Sequence, residues 1–381
     1  MLELAWILLA IVGHLGLWSA IFNQVHATGW VRIFRKISER IIYAIVISLG
    51  LALLIIYNYP KPESLFVTSI VYYGHLCVFL AIVLSIRWVY REVSRYLNPP
   101  PMRVVSCNII RVGSLFDKEM IQGWQAKLLR WIPGNQVLEL AIEHKALKLR
   151  KLPSKLRNLR IVHLGDLHFT GKISHVFFER VVEQINQLSP DLVCLSGDIV
   201  DERECLDWIP DLLSRVRANY AKLFVLGNHD LRIKDEQEIR TLMREADWID
   251  VEGHWRSFEI RGEVVTTAGN ALPWFGHARQ LPPRAPMDNE LRIAISHSPD
   301  QLRWAQQLDF HLMLAGHNHG GQVRFPLIGP VISPSIYGVK YASGVFEEQG
   351  LVIHVTRGVS ADDPIRWNCR PELTLLTLEE A

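Results

Sequence analysis

Charge is scarce in this sequence, and its scarcity is local. No Asp, Glu, Lys or Arg occurs from Leu4 to Val31, from Ile41 to Pro60, or from Ser64 to Ile86. Runs of that length exclude an ordinary soluble surface for the first ninety or so residues. The net charge of +2 excludes a strong acidic or basic field, and with it an electrostatic case for nucleic acid. Cysteine is also sparse. Cys77, Cys107, Cys194, Cys205 and Cys369 are odd in number and scattered without metal-ligand spacing. They exclude a disulfide framework and read as reduced thiols, which fits a reducing compartment such as the cytoplasm.

Hydrophobic residues are abundant, at 49%. A membrane-spanning helix needs about 20 mostly apolar residues, because hydrocarbon cannot satisfy an exposed backbone. The three charge-free stretches therefore read as three spans, at about 4–24, 41–59 and 64–87, within a membrane domain over 1–97. A signal peptide is the rival for the first, but Glu3 stands where a basic start belongs and no small-residue cleavage site follows cleanly. Arg32, Arg35, Lys36 and Arg40 lie between spans one and two; Arg87, Arg91, Arg95 and Arg103 follow span three. The loop between spans two and three holds only Lys61 with Glu63. Basic loops stay on the cytoplasmic side, so the reading puts the amino terminus outside and the long carboxy-terminal part in the cytoplasm. His14, His75 and His26 fall in or near the spans. They are functional suspects by position, or neutral side chains bonded to a neighbouring helix.

Asn98-Pro99-Pro100-Pro101 closes the membrane part, since consecutive prolines cannot continue a helix. Residues 98–135 read as a linker with an amphipathic helix over Asp117–Ile132. Met120, Ile121, Trp124, Leu128, Trp131 and Ile132 share one face of it. That face either lies in the headgroup region or packs on the catalytic domain. Val137 to Leu149 alternates like an edge strand of the domain expected over 136–381.

Beyond Pro153 the chain repeatedly presents a short apolar run followed at once by metal-binding residue types. Arg160–Leu164 leads into Gly165-Asp166-Leu167-His168, and Asp191–Leu195 into Ser196-Gly197-Asp198. Leu223–Leu226 leads into Gly227-Asn228-His229-Asp230, and Leu291–Ile295 into Ser296-His297. His311–Ala315 leads into Gly316-His317-Asn318-His319-Gly320-Gly321. The runs read as buried strands. Helical spacing over Val176–Leu188 and Trp208–Val216 gives strand–helix–strand order, with a site at the strands' carboxy ends. A hydrolytic two-metal centre needs a bridging carboxylate, neutral nitrogen and oxygen ligands, and room for water. Asp198 offers two oxygens, Asn228 a neutral carbonyl, and the histidines imidazole. Asp166 and His168 are two apart, as are His317 and His319, so extended segments would project each pair to one side.

These motifs resemble the calcineurin-like metallophosphoesterases, over about residues 155–380. The resemblance implies an α/β four-layer sandwich, two mixed sheets flanked by helices, here preceded by three transmembrane helices. It implies one metal held by Asp166, His168, Asp198 and His319, and another by Asp198, Asn228, His297 and His317. It assigns His229 to the phosphate and leaving oxygen, and Asp230 to orienting the His229 ring. Two divalent ions are implied, with manganese expected and iron or zinc compatible. Asn318 stands where many relatives carry Thr. The stretches 316–344 and 365–372 resemble a bacterial membrane-associated subgroup. Some of its wider group hydrolyse UDP-diacylglucosamine.

The expected function is a membrane-anchored phosphoesterase acting on a phosphodiester or pyrophosphate, with a lipid-linked substrate preferred. Alternatives are a general phosphodiesterase or phosphatase on soluble substrates, or a metal-binding scaffold. Partners expected are the phosphoester and the membrane, with no nucleic acid; oligomeric state is not legible. Asp201, Arg232, Trp274, Gln322, Arg324 and Tyr341 lie in or after the site loops without an assigned role. His163, His175, His254, His277 and His354 read as ordinary.

Overall fold

The computed structural model describes residues 2–58, 64–114 and 120–381. Lys61, Glu63, Asp117 and Lys118 lie outside the described residues. The chain divides into two units: Met1–Pro99 with Pro334–Gly338, and Pro100–Ser333 with Val339–Ala381.

The first unit holds three helices, α1 (Leu2–Ala27), α2 (Arg32–Asn58) and α3 (Leu65–Leu97). All three are long and apolar enough to cross a membrane. They run past the charge-free stretches at the basic ends, because Arg and Lys are good helix formers wherever the bilayer stops. α3 starts on Ser64, whose side chain accepts from Val67 N, and ends before Pro99. Leu8, Val12, Ile47, Leu51 and Phe79 point outward and are exposed, as lipid-facing positions should be. Inside the bundle, a Cβ at Gly13 would fall 1.7 Å from Cys77 O, so only glycine lets α1 and α3 approach this closely.

The buried His14 ties all three helices together. Its Nδ1 lies 2.6 Å from Tyr73 Oη on α3, and its Nε2 lies 3.0 Å from Val46 O on α2. Trp18 Nε1 donates to the same Tyr73 hydroxyl at 3.1 Å. His75 lies 2.8 Å from Val71 O on its own helix, and His26 pairs with Glu39 at 3.2 Å.

The second unit is built on two mixed sheets. One has the order β1 (Met102–Arg111), β2 (Glu139–Leu149), β15 (Glu372–Glu380), β3 (Arg160–Leu164), β4 (Leu192–Ser196), β5 (Ala221–Val225), β6 (Ile249–Asp250). The other has β13 (Gly344–Glu348), β14 (Leu351–Val355), β10 (Leu312–Ala315), β9 (Glu290–Ser296), β8 (Glu263–Asn270), β7 (Arg256–Ile260). A small hairpin pairs β11 (Arg324–Phe325) with β12 (Gly329–Pro330). Strands β3 to β6 run parallel, as do β8, β9, β10 and β14.

Side-chain alternation along buried strands gives each sheet two apolar faces. In β4, Val193 and Leu195 join the cluster with Phe177 and Val181 of α5 (His175–Gln187) and Ile239 and Met243 of α6 (Glu236–Glu245). Leu192 and Cys194 join the cluster between the sheets, with Ile293, Ile295, Leu312 and Leu314. Each such side chain contributes about 1.5–3 kcal/mol when fully buried. α7 (Leu302–Gln307) follows β9 and buries Leu302 and Ala305. All five site runs are thus strands, and the expected layering of two mixed sheets with helices is present.

Three stretches differ from expectation. Met102–Arg111, read as linker, is the edge strand β1, antiparallel to β2. β2, read as an edge, lies inside between β1 and β15. Nearly every β1 side chain is exposed, so no alternation marks it in the sequence. The expected helix over 117–132 is short in its described part: α4 spans Trp124–Arg130, after Gly123 at φ 82°. Met120 and Ile121 are buried in the catalytic core, whereas Trp124, Leu128 and Trp131 are exposed.

His14→Ala removes the side chain that joins the three helices. The helical unit is expected to lose about 0.6–2 kcal/mol, the range for hydrogen bonds between membrane helices. Denaturant titration of helix content in micelles checks it, and an unchanged midpoint would leave the bundle to van der Waals packing alone.

Candidate active site

Five loops leave the carboxy ends of β3, β4, β5, β9 and β10 and meet over one edge of the sandwich. Four of the expected ligands come together from three of them. His168 Nε2 lies 3.1 Å from His319 Nε2 and 3.5 Å from Asp198 Oδ2; His319 Nε2 lies 3.8 Å from Asp166 Oδ1. The second group shares Asp198. His297 Nε2 lies 3.4 Å from Asp198 Oδ1, 2.9 Å from Asn228 Oδ1 and 3.2 Å from His317 Nδ1. The structure thus brings the seven expected metal-binding residues into two adjoining groups that share Asp198, Asn228 joining through His297, and a third cluster of His168, Asp201 and His229 overlaps the first.

The expected reason for the paired spacing is corrected. Asp166, His168, His317 and His319 are not in extended segments; their φ angles are 54°, 46°, 70° and 49°, and Asp198 has 52°. Left-handed backbone is uncommon for residues with a Cβ, and it clusters where function demands it. Tight turns, rather than strand alternation, aim these side chains at one point. Gly227 permits the closest approach: a Cβ there would fall 2.3 Å from Asp198 Oδ1 and 2.4 Å from Asp198 N.

The residues fit a pair of divalent cations. Adjacent nitrogen ligands on one ion lie about 3.0–3.4 Å apart when each bond is about 2.1 Å, and the two imidazole pairs lie at 3.1 and 3.2 Å. Asp166 Oδ2 and Asp198 Oδ2 are buried without a hydrogen-bond partner, a costly arrangement unless a cation supplies one. Burial disfavours protonated His168, yet Asp201, Asp198 and Asp166 raise its pKa to about 9. Burial likewise opposes the His297 cation, and Asp198 and Asp166 raise it to about 9. The field of this pocket calls for positive charge, which metal ions would supply in place of those protons.

Outer contacts fix the imidazoles. His168 Nδ1 lies 2.9 Å from Asp201 Oδ2, and His297 Nδ1 lies 2.8 Å from Ser196 O, leaving each Nε2 to face the site. His319 is held differently, with Arg366 Nη2 3.1 Å from its Nδ1. Burial first, then the charges of His168 and Arg366, keep the His319 pKa well below the usual range. The Trp274 ring packs 4.6 Å from His317 and 5.2 Å from His297.

The role expected for Asp230 is also corrected. Its Oδ1 accepts from Ile199 N and Val200 N, each at 3.0 Å, and its Oδ2 from Gly227 N at 2.7 Å. It pins the β4 and β5 loops together and does not touch the His229 ring. Asp201 does: its Oδ1 meets His229 Nδ1 while its Oδ2 meets His168. Burial alone would raise Asp201, but the charges of His168 and His229 hold it well below the carboxylate range. Arg232 Nη1 lies 2.7 Å from Asp201 and its Nη2 donates to Asp362 at 2.8 Å. Asp201, three residues after Asp198, was visible in the sequence; its direction was not.

The model described as Calcineurin-like phosphoesterase matches residues 159–321. The phosphodiesterase YaeI of Escherichia coli is 30% identical over 232 residues, 58% of this chain and 82% of that protein. The chain belongs to the calcineurin-like phosphoesterase family. The metallophosphoesterase YkuE of Bacillus subtilis, itself uncharacterized, is 27% identical over 243 residues, covering 62% of this chain and 84% of its own. The UDP-2,3-diacylglucosamine pyrophosphatase LpxG of Chlamydia muridarum is 23% identical over 312 residues, 66% of this chain and 93% of that one. This calcineurin-like phosphoesterase is a metal-dependent phosphoric ester hydrolase with phosphodiesterase-type chemistry, and its three apolar helices associate it with a membrane.

The two aspartates separate by measurement. Asp201→Asn is expected to lower kcat about 100-fold, the scale for losing acid–base function, with the unfolding midpoint little changed. Asp230→Asn is expected to act on stability, weakening charge-assisted bonds worth about 1.5–3 kcal/mol each. Steady-state kinetics beside thermal unfolding check both, and equal effects of the two on kcat alone would contradict the division.

Proposed function

We propose that this phosphoesterase hydrolyses a lipid-linked phosphodiester or pyrophosphate at a two-metal centre, with its catalytic domain in the cytoplasm. Asp166, His168, Asp198 and His319 hold one ion, and Asp198, Asn228, His297 and His317 the other. When bound, the ions would polarise the phosphoryl oxygens and activate water, and manganese is the ion expected. The observation that carries the reading is the sharing of Asp198, whose two oxygens lie 3.5 and 3.4 Å from imidazoles of different groups.

His229 supplies the proton. Its ring centroid lies 4.5 Å from that of His168, so it borders the first group. Asp201 receives the Nδ1–H, which fixes the ring and leaves Nε2 to carry a proton. Water attacks phosphorus and gives up one proton to solvent, the bond to the leaving oxygen breaks, and that oxygen takes the proton from His229 Nε2, which solvent then restores. Charge forming on the leaving group is thereby neutralised as it appears.

The lipid-linked substrate class is supported by two independent features. The chain invests its first hundred or so residues in helices able to cross a membrane, and one relative bears the name of an acylated-sugar pyrophosphatase. The cytoplasmic side follows from Arg32, Arg35, Lys36 and Arg40 in one loop and Arg87, Arg91 and Arg95 after the third helix.

Detergent-purified, manganese-loaded full-length protein is to be assayed on a bis-aryl phosphodiester and a UDP-linked acyl sugar, beside His229→Ala. The acyl sugar is expected to turn over far faster, and the variant to lose about 100-fold on both while keeping its metal. Turnover of the diester alone would remove the lipid argument and keep the enzyme. Equal rates for wild type and variant would favour a metal-binding scaffold.

A further inference from the structure

The loop carrying His317 and His319 continues through Gly320 and Gly321 into the β11–β12 hairpin, turning at Pro326-Leu327-Ile328. From Phe325 to Val339 there is no charged residue. Leu327 is 92% exposed and Ile328 57%, and Phe325 and Ile332 are also exposed. Large apolar side chains held out together at a loop tip mark a surface meant to be covered.

This hairpin is rigidly mounted beside the metal-binding loop. Arg324 N donates to Trp367 O, and Trp367 N donates to Gln322 O, each at 3.0 Å. The Phe325 and Trp367 rings meet edge to face at 6.0 Å. On the return strand, a Cβ at Gly321 would fall 2.5 Å from Pro330 Cβ, so Pro330 lies directly on the last glycine of the site loop.

A second apolar group hangs from the same segment. Exposed Trp124, Leu128 and Trp131 belong to α4 and its end, with Lys127 and Arg130 between them. Asn135 Nδ2 donates to Leu129 O at 2.9 Å, and Asn135 Oδ1 accepts from Arg366 N at 2.9 Å. Arg366 Nη1 in turn donates to His319 O at 2.9 Å. Hairpin and helix are thus both braced against Arg366 and Trp367, next to a proposed metal ligand.

The occupant follows from the composition of this surface and from the three membrane-length apolar helices in the same chain. Tryptophan with interspersed Lys and Arg is the composition of a surface seated at a headgroup boundary. We propose that the 324–332 hairpin, with the tryptophan face of α4, docks on the lipid bilayer, Leu327 and Ile328 entering the headgroup–acyl boundary. The mouth of the metal centre is then held at the lipid surface, where a lipid-linked phosphoester presents its headgroup. The docking rests on the membrane part of the proposed function and not on the identity of the substrate.

Nitroxide labels test it on full-length protein in lipid nanodiscs. Cys107, the exposed cysteine, is replaced by Ser; the other four are buried. One label is placed at Leu327→Cys and a reference at Glu245→Cys, on the exposed end of α6, with metal content confirming the fold of each. The label at 327 is expected to lose collisions with a water-soluble nickel chelate while keeping those with oxygen, and the label at 245 to keep both. Equal nickel access at the two positions would overturn the inference. Shielding from both relaxants with spin–spin broadening would overturn it in favour of a second copy of the chain covering the hairpin. A bilayer-facing label without turnover of any lipid-linked ester would leave the docking standing and remove the substrate reading; a water-facing label with turnover would do the reverse.

Discussion

Four carboxylates buried within one loop cluster set the terms for the catalytic domain. Asp166, Asp198, Asp201 and Asp230 are each at most 2% exposed, and an uncompensated buried charge costs several kcal/mol. Each is compensated differently, and the difference assigns its work. Asp230 is satisfied by three backbone N–H groups, so it shapes loops. Asp201 is satisfied by two imidazoles and a guanidinium, so it orients rings. Asp166 and Asp198 each keep an oxygen with no hydrogen-bond partner. Of the four, these two keep an unpaired oxygen that a cation could satisfy. Burial, with Asp198 as the next cause, pushes Asp230 up to about 7, whereas Asp198, surrounded by histidines, is held well below the carboxylate range. One electrostatic constraint thus separates scaffold from site.

Holding such groups in place requires stiff supports behind them, and the two sheets provide these. The left-handed turns at Asp166, Asp198 and His317 begin one or two residues after strands packed on both faces. Behind the site, His163 Nδ1 meets His354 Nδ1 at 2.7 Å, and His163 Nε2 meets Ser196 Oγ at 3.1 Å. Lys145, Glu372 and Arg357 extend that network away from the site. Ser196 also gives its carbonyl to His297. These histidines, ordinary by motif, are structural in a specific sense: they link β3, β4 and β14 at the end where the ligands emerge.

Much of this was legible before any coordinates. The five site strands were legible because burial on both faces leaves an unbroken apolar run, and each run ends on a glycine or serine followed by a ligand type. The spans were legible because hydrocarbon tolerates no charge. β1 was not, since a strand exposed on nearly every residue carries no alternation. The split of the 117–132 stretch was not either: Met120 and Trp124 look alike in a periodic pattern, and only the partner surface decides which is buried. The transfer of the ring-orienting role from Asp230 to the unassigned Asp201 has the same origin. Both follow a ligand closely, and which carboxylate meets His229 depends on turns made by three separate loops. The sequence carries ligand chemistry locally, while second contacts are properties of the assembled loops.

Charge scarcity returns in a form too short for a spanning-helix search. The stretch from Phe325 to Val339 is as free of charge as the spans but contains five of the chain's prolines and glycines, at 326, 329, 330, 334 and 338. Such a run cannot be a helix across a bilayer. In a soluble protein it would fold inward; here Leu327 stays almost wholly outside. A protein with three apolar helices in the same chain already sits where an outward apolar tip has somewhere to go. Anchoring raises the local concentration of any ligand confined to that surface, while it gives no advantage toward one free in solution. An apolar rim joined covalently to a metal-binding loop extends the same logic from the anchor to the site itself.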